Sequence, residues 1–230
     1  MDVQNINICD ENIRFEFTIS IPPLDMLGFK GYVEKFECQA LYSIYDDGND
    51  KPYEKVIGKL NGYRFSLHSC YWDYDENNED ALLPLDILDM MDDNVAKLLC
   101  LFDNNCDVKA KYQRKLESIL ETDDLPGLPN IVLINRVEVL AEYRGRKFGE
   151  TLISNSLYTT GKKNDLVIVD YMPLQLACKE TGEPKNEWDE EMRFDELEQD
   201  EETARNKLKK YYKKLGFKLL NKEGLLFLII

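Results

Sequence analysis

Histidine is almost absent from this chain of 230 residues, which has a single copy, His68. A catalytic triad or a Cys-His pair needs an imidazole beside its nucleophile, so nucleophilic catalysis of that kind is not indicated. The six cysteines form no CxxC pair, and one histidine offers them little help in binding zinc. We therefore expect no metal site, and free thiols in a reducing cytoplasm.

Long apolar runs and linkers are missing as well. No run approaches the ~20 residues that a membrane-spanning helix needs, and the first residues lack the basic and apolar regions of a secretory signal. No stretch rich in Pro, Gly or Ser divides the chain, and 43% of its residues are hydrophobic. We expect one domain over residues 1–230, without a membrane partner, present in the cytoplasm as a monomer or homodimer.

Positive charge is scarce, since 29 Lys and Arg face 44 Asp and Glu for a net charge of -15. This balance argues against nucleic acid as the main partner and favours cationic partners. The acidity peaks between Glu187 and Glu202, where ten carboxylates accompany one arginine. This acidic segment (residues 187–202) is interpreted either as a solvated loop or lid, or as a wall that attracts a cationic substrate.

The first half of the chain carries strand patterns and one helix pattern. Alternation predicts strands over residues 13–19 and 32–45, and residues 55–74 predict a hairpin of two strands that turns at Asn61-Gly62. Apolar residues on one face predict a helix from Pro84 to Phe102. In the second half we predict a strand over 165–171, a helix capped by Asp200 and ended by Gly216, and a closing hairpin over 217–230.

The most informative stretch is residues 131–157. An apolar run predicts a strand buried on both faces, and a turn with two glycines and three cations leads from it into a helix near Phe148. The N-terminus of a helix presents free N–H groups and the positive end of its dipole. The sequence therefore predicts an anion site at this turn, and the later strand over 165–171 predicts a parallel partner reached by a right-handed crossover.

Two motifs in this half resemble the GNAT superfamily of acyl-CoA N-acyltransferases. The first is Arg144-Gly145-Arg146-Lys147-Phe148-Gly149, which is similar to the family signature Arg/Gln-x-x-Gly-x-Gly/Ala, with Lys147 in the place of the first signature glycine. The second is the helix end Tyr212-x-x-x-Gly216-Phe217, preceded by Arg205 where the family often has Asn. The resemblance covers roughly residues 130–230, the acyl-CoA-binding core, and leaves 1–129 to supply acceptor-side elements.

This resemblance implies an α/β fold: a curved, mostly antiparallel sheet of about six or seven strands with a splayed central parallel pair and helices on both faces. Acetyl-CoA would lie in the splay, between the strand that ends at Leu140 and the strand that ends near Tyr171. The residues implied in holding it are those of the first strand and of the following turn: Val137, Glu138, Val139, Arg144, Gly145, Arg146, Lys147, Phe148, Gly149 and Glu150.

The implied activity is transfer of an acetyl group to a primary amine by direct attack in a ternary complex. An alkyl ammonium has a pKa of about 10.4 and must lose a proton, for which Asp170 and Glu138 are the candidate bases. A backbone N–H near Val139 would stabilise the oxyanion, and Tyr212 is the candidate acid for the departing thiolate. The acceptor is a small-molecule or protein amine, and the acidity of the chain favours a cationic one.

Two other classes remain open from the sequence. Lys147 and Arg205 depart from the family pattern, so the chain is alternatively a degenerate module that binds acyl-CoA, or nothing, and acts through interactions. The acidic segment is also consistent with an antitoxin-like or chaperone-like protein that binds a basic partner. Acetyl-CoA binding without turnover would identify the first class, and co-purification with a basic protein the second.

Overall fold

The computed structural model describes residues 12–21, 31–45, 52–74, 83–120, 129–176, 186–221 and 224–230. One sheet of seven strands runs in the order β1-β2-β3-β4-β5-β7-β6. The strands are β1 Ile13–Ser20, β2 Val33–Ile44, β3 Tyr53–Phe65, β4 Ile131–Val139, β5 Leu166–Asp170, β6 Lys218–Leu219 and β7 Leu225–Ile229. Only β4 and β5 pair in parallel, and every other neighbouring pair is antiparallel. The predicted mixed sheet with a central parallel pair is confirmed.

Helices cover both faces of the sheet. On one face lie α1 Leu67–Asp73, α2 Pro84–Asp89, α3 Asp93–Ala96, a 3-10 helix Lys97–Leu101 and α4 Ala110–Leu120. On the other face lie α5 Phe148–Thr160 and α7 Glu201–Lys214, while α6 Glu187–Glu191 and a 3-10 helix Phe194–Glu196 belong to the acidic segment. No helix in the described ranges is long and apolar enough to cross a membrane.

The two core layers explain why β4 is apolar at consecutive positions. Successive side chains of a strand point to opposite faces. Ile131 and Leu133 therefore join the core beneath α1–α4, whereas Val132 and Ile134 join the core beneath α5 and α7. All four side chains are at most 2% exposed, which confirms the predicted burial on both faces.

The predicted hairpin at Asn61-Gly62 is wrong. Residues 53–65 form the single strand β3, and α1 follows it where the second strand of the hairpin was expected. A Cβ atom at Gly62 would lie 2.3 Å from the Leu133 carbonyl oxygen and 2.4 Å from the Phe36 ring. This glycine therefore serves close packing inside the sheet rather than a turn.

The helix predicted from Pro84 starts there but is interrupted. It ends as α2 at Asp89, and Asp92 then caps α3 by accepting hydrogen bonds from the N–H groups of Asn94 and Val95. A cap residue takes non-helical backbone angles, so the apolar face that the sequence assigned to one helix is divided among three short ones. The break matters for the site, because it places the 3-10 helix that begins at Lys97.

The closing strands match their prediction. Gly216 takes a left-handed φ of +94° after α7, and the chain then forms β6 and β7. The strongly apolar β7 lies between β5 and β6 rather than at an edge of the sheet. Its backbone is therefore paired on both sides, which removes the aggregation hazard of an exposed apolar strand.

Candidate active site

The site begins where β4 and β5 part. Their pairing runs from Ile131 with Leu166 to Ile134 with Val169 and stops there. At that point β4 also shifts register against β3, since Arg136 faces Asn61 and Ile134 faces Gly62, which leaves Asn135 as a bulge. Beyond the bulge, β4 continues to Val139 beside β3 alone.

The backbone of β4 beyond the bulge presents polar groups to the gap. The Leu140 N–H donates to the Ile57 carbonyl of β3 at 3.0 Å, and consecutive residues of a strand direct their backbone groups to opposite sides. The backbone groups of Val139 and Val137 therefore face away from β3, into the gap left by β5. In agreement, the Val139 carbonyl accepts a hydrogen bond from Nε of Arg144 at 3.1 Å.

A cavity of about 590 Å³ occupies this gap. Its walls are β4 beyond the bulge, the end of β5 with the residues after it, the start of α5, the inner face of α7 and the acidic segment. Residues that represent these five walls are Val137, Asp170, Gly149, Tyr212 and Phe194. The structure thus brings together the predicted cofactor strand, the predicted turn and the predicted acid Tyr212.

The turn between β4 and α5 has an unusual backbone. Gly145 has a φ of +77° and Lys147 a φ of +66°. Lys147 thus has the left-handed backbone conformation that glycine adopts readily. For a residue with a Cβ atom this conformation costs roughly 1–2 kcal/mol of conformational free energy. No side chain caps the first turn of α5, so its N–H groups are open to an anion from outside.

The three cations of the turn are in two different situations. Arg146 and Lys147 are exposed, and within the described ranges neither forms an ion pair. Arg144 is half-buried and donates to the carbonyls of Val139 and Met192, and burial lowers its pKa. Arg144 therefore ties the acidic segment to β4, while Arg146 and Lys147 remain free to attract an anion.

Two adjacent tyrosines of α7 reach the cavity. Tyr212 is 6% exposed, its ring packs edge-on against Phe217 at 5.6 Å, and burial, with help from the charge of Asp170, raises its pKa. The hydroxyl of Tyr211 lies 3.1 Å from the point where a Cβ of Gly149 would stand. Burial raises the pKa of Tyr211 to about 12. The sequence motif includes only Tyr212 of this pair, so the place of Tyr211 in the cavity was missed.

Asp170 is held at the mouth of the cavity by two donors. Its Oδ2 accepts from Nζ of Lys97 at 2.6 Å, and its Oδ1 accepts from the Met172 N–H at 2.9 Å. Lys97 is also bonded to Asn94, whose amide reaches the bulged Asn135 at 3.2 Å. No motif pointed to Lys97, since the two residues that it joins are 73 positions apart.

Glu138, the other candidate base, is directed elsewhere. Side chains alternate along β4, so Glu138 lies on the opposite face from Val137 and Val139. Its carboxylate is buried and pairs with Arg136 at 2.6 Å, and it does not line the cavity. The structure thus places Asp170, and not Glu138, on the wall that Tyr212 shares.

The acidic segment is a packed wall rather than a free loop. Lys55 pairs with Glu191 at 2.7 Å, and the ammonium of Lys59 lies 3.7 Å from the centre of a ring of Trp188. Met192 is 3% exposed. Toward the cavity the segment presents both apolar and acidic side chains, namely Met192, Phe194, Glu196, Leu197 and Glu198.

The strand order, the splayed parallel pair and the turn before α5 are those of the fold that the sequence resembles, so the chain has a GNAT-like fold. No family model and no curated protein matches the chain. NAA60 of Arabidopsis thaliana in complex with acetyl-CoA is similar over 94% of this chain and 99% of that one, at 12% identity and a TM-score of 0.36.

Two further solved structures are similar at the same level. NAA60 of Arabidopsis thaliana with a bisubstrate analogue has 13% identity and a TM-score of 0.33, over 87% of this chain and 77% of that one. A KacTA–DNA complex has 9% identity and a TM-score of 0.34, over 94% and 93%. Likenesses this low support no functional conclusion, so function is argued from the site itself.

Proposed function

We propose that this chain is a GNAT-type N-acetyltransferase, which transfers an acetyl group from acetyl-CoA to a primary amine by direct attack in a ternary complex. One observation carries the proposal. A single cavity joins the unpaired edge of β4 and the uncapped N-terminus of α5 to Asp170 and Tyr212. Such a reaction needs backbone groups that hold an extended cofactor, a site that binds its phosphate anion, and two side chains that transfer protons.

The residues of the turn and of β4 fit the two parts of coenzyme A. The N–H groups of residues 145–150 would hold the pyrophosphate, and the exposed Arg146 and Lys147 would add attraction. Gly149 supports this fit, because any Cβ there would press against the Tyr211 hydroxyl at 3.1 Å and narrow the groove. The backbone groups of Val137 would bind the pantetheine amides as an added strand does.

Arg144 has a different part in this proposal. Its guanidinium already donates hydrogen bonds to the backbone carbonyls of Val139 and Met192. We assign Arg144 to the wall of the cofactor groove, where it fixes the acidic segment, and not to the phosphates. The Val139 N–H stays available as a donor to the developing oxyanion.

Two side chains would handle the protons. When bound, acetyl-CoA supplies an electrophilic thioester carbonyl and a thiolate leaving group. Asp170 would accept a proton from the attacking ammonium, and Tyr212 would give its own proton to the departing sulfur. Tyr212 carries that proton at neutral pH, because a tyrosine hydroxyl ordinarily has a pKa of about 10. Asp170 is preferred to Glu138 because it lines the cavity.

Calorimetric titration with acetyl-CoA tests the proposal. The double variant Arg146→Glu/Lys147→Glu should lose micromolar binding, because repulsion replaces attraction at the pyrophosphate. Lys162→Glu/Lys163→Glu is the matched control, since it makes the same change in charge just beyond the opposite end of α5 and should bind normally. Absence of binding by the unaltered chain, or equal loss in both variants, would refute the proposal.

A second function is favoured by one contact. The candidate base Asp170 is already occupied by Lys97 at 2.6 Å, an arrangement that also suits a module that binds acyl-CoA without turnover. A panel of amines separates the two, with polyamines, aminoglycosides and lysine peptides beside neutral and anionic amines. Turnover with cationic amines supports the enzyme, and tight acetyl-CoA binding with no turnover supports the module.

A further inference from the structure

One lysine of the chain pairs with the candidate base. Lys97 begins a 3-10 helix, and its backbone is fixed because its N–H bonds to Asp93 and because Leu98, the next residue, is fully buried. Its side chain reaches across to β5 and puts Nζ 2.6 Å from Oδ2 of Asp170. Among the described residues, no other cation forms an ion pair with Asp170.

Asp170 connects this lysine to the candidate chemistry. It lines the same cavity as Val137, Val139 and Tyr212, and its charge contributes to the raised pKa of Tyr212. Lys97 is 45% exposed, so its side chain is not locked in a core. It pairs with a residue of the cavity wall and does not itself line the cavity. A primary amine thus lies beside the candidate base, which shares a cavity with the candidate acid.

We propose that Lys97 is a site of intramolecular acylation: acetyl-CoA bound in the cavity modifies the ε-amine of Lys97 of the same chain. This inference rests on the proposed function and adds to it a covalent product on the protein. Positioned groups react as if at very high concentration, with effective molarities of about 10⁵–10⁸ M in favourable cases. A tethered amine beside Asp170 therefore competes with any free acceptor.

The step balances without a further reactant. The Lys97 ammonium gives one proton to the Asp170 carboxylate, and the neutral amine forms a C–N bond to the acyl carbon and loses its second proton to solvent. The C–S bond of the thioester breaks, and the thiolate takes a proton from the Tyr212 hydroxyl. Both side chains then return to their starting states through solvent. The net change is one ammonium converted to an amide, one free thiol and one proton released.

Lys207, which itself lines the cavity, is the control. Its Nζ lies 2.6 Å from Oε2 of Glu198, so it has the same kind of carboxylate partner, and it is 65% exposed against 45% for Lys97. Uncatalysed acylation of surface amines would therefore favour Lys207. Acylation directed by Asp170 and Tyr212 would favour Lys97, because Lys207 pairs with a residue of the acidic segment instead.

The experiment incubates the full chain with acetyl-CoA, without added amine, and follows each lysine by peptide mass mapping over time. Lys97 should be modified at least about tenfold faster than Lys207, as expected for a positioned reaction. Its rate should not change when the protein is diluted. Tyr212→Phe should slow modification of Lys97 and leave Lys207 unaffected, and Lys97→Arg should abolish the Lys97 product.

Calorimetry of acetyl-CoA binding is run beside the mapping. Lys97→Arg keeps a cation next to Asp170 and should bind acetyl-CoA as the unaltered chain does. If acetyl-CoA binds and free amines are acetylated while Lys97 is no faster than Lys207, this inference is overturned and the proposed function stands. A Lys97 rate that rises with protein concentration overturns it as well. If acetyl-CoA does not bind, both proposals fail.

Discussion

Tyr211 and Tyr212 are neighbours in sequence, and both reach the cavity, but their surroundings differ. Tyr212 packs against Phe217, and its pKa is raised by burial, then by Tyr211 and by the charge of Asp170. Tyr211 lies against Gly149, and its charge interaction is with Glu150. The surroundings thus place Tyr212 toward the candidate base and Tyr211 toward the anion-binding turn.

Tyr212→Phe should lower turnover by ~10- to 1000-fold with little change in acetyl-CoA affinity, because a general acid acts in the transition state and contributes little to binding. Steady-state kinetics with an accepted amine, beside calorimetry, measures both effects. Tyr211→Phe is the control and should leave turnover within a few fold. Full turnover in Tyr212→Phe would remove Tyr212 from the mechanism. A large loss of turnover in Tyr211→Phe only would assign the acid to Tyr211.

Lys147 gives a prediction about stability. Its left-handed φ of +66° costs roughly 1–2 kcal/mol, whereas a new glycine costs roughly 0.4–1 kcal/mol through the unfolded chain. Lys147→Gly should therefore raise the free energy of unfolding by about 0.5–1 kcal/mol, measured by urea titration. Lys147→Ala keeps a Cβ atom while removing the charge and should bring no gain. An equal gain in both variants would assign the effect to charge instead of backbone strain.

At the scale of single elements, the exposed edge of β4 can be observed directly. The N–H groups of Val137 and Val139 face the cavity, whereas the Leu140 N–H is bonded to Ile57. Amide hydrogen exchange should be fast at the two valines and slow at Leu140, since exchange requires an unbonded N–H. Acetyl-CoA should protect the valines and leave Leu140 unchanged. Protection of both valines before ligand is added would contradict the splay.

A buried ion pair links β3 to the start of β5. Nε of Arg64 donates to Oδ2 of Asp165 at 3.2 Å, and the two side chains are 3% and 2% exposed. Asp165→Asn removes the buried counter-charge of the guanidinium and leaves only the half-exposed Glu34, at 3.7 Å, so it should cost about 3–5 kcal/mol in unfolding free energy.

The exposed pair of Arg14 and Glu54 is the control for this prediction. It is shorter, at 2.6 Å, but its side chains are 52% and 39% exposed. Glu54→Gln should therefore cost much less, because solvent screens an exposed pair. Urea midpoints of the two variants measure the difference. Equal costs would mean that burial does not set the strength of these pairs.

The elements also show where sequence reasoning succeeds. Continuous or alternating apolar patterns predicted β1, β2, β4, β5 and β7, because a strand's period is local information. The hairpin predicted at Gly62 was wrong. A glycine that permits a turn and a glycine that makes room for the Phe36 ring look alike in sequence. Only the partner strand, which is distant in the chain, distinguishes them.

The candidate site divides in the same way. Its proposed cofactor side lies in consecutive residues of a known pattern, and four of these residues line one cavity, namely Val137, Val139, Arg144 and Gly149. Lys97, Arg144 and the acidic segment gain their places through contacts with distant residues. Charge alone could not separate Arg144, which bonds to carbonyls, from Arg146, which stays exposed.

For the whole molecule, buried thiol and tyrosine hydroxyl groups predict how the free energy of unfolding changes at high pH. Burial raises the pKa of the Cys38 and Cys70 thiols from 9.0 to about 11, and that of Tyr211 to about 12. The unfolded chain loses these protons at lower pH than the folded chain. The folded state therefore binds more protons above pH 9, and its stability falls as pH rises.

Each such group should remove about 1.4 kcal/mol per pH unit between its unfolded and folded pKa values. For the thiols this interval runs from 9.0 to about 11. Urea unfolding across this interval should show a steady decline in unfolding free energy. Cys38→Ala should make the decline shallower, whatever it does to stability at neutral pH. An unchanged slope would show that Cys38 does not hold its proton.

The short ladder between β4 and β5 has a mechanical consequence. Strands β1 to β4 form one half of the sheet and β5, β7 and β6 the other. Among the described residues, strand pairing between the halves runs only from Ile131 to Ile134 with Leu166 to Val169. Under tension or partial denaturation the molecule should part along this seam. A ligand bound between β4 and β5 contacts both halves and should hold them together. The gap that forms the cavity therefore also makes the mechanical stability of the sheet depend on the bound ligand.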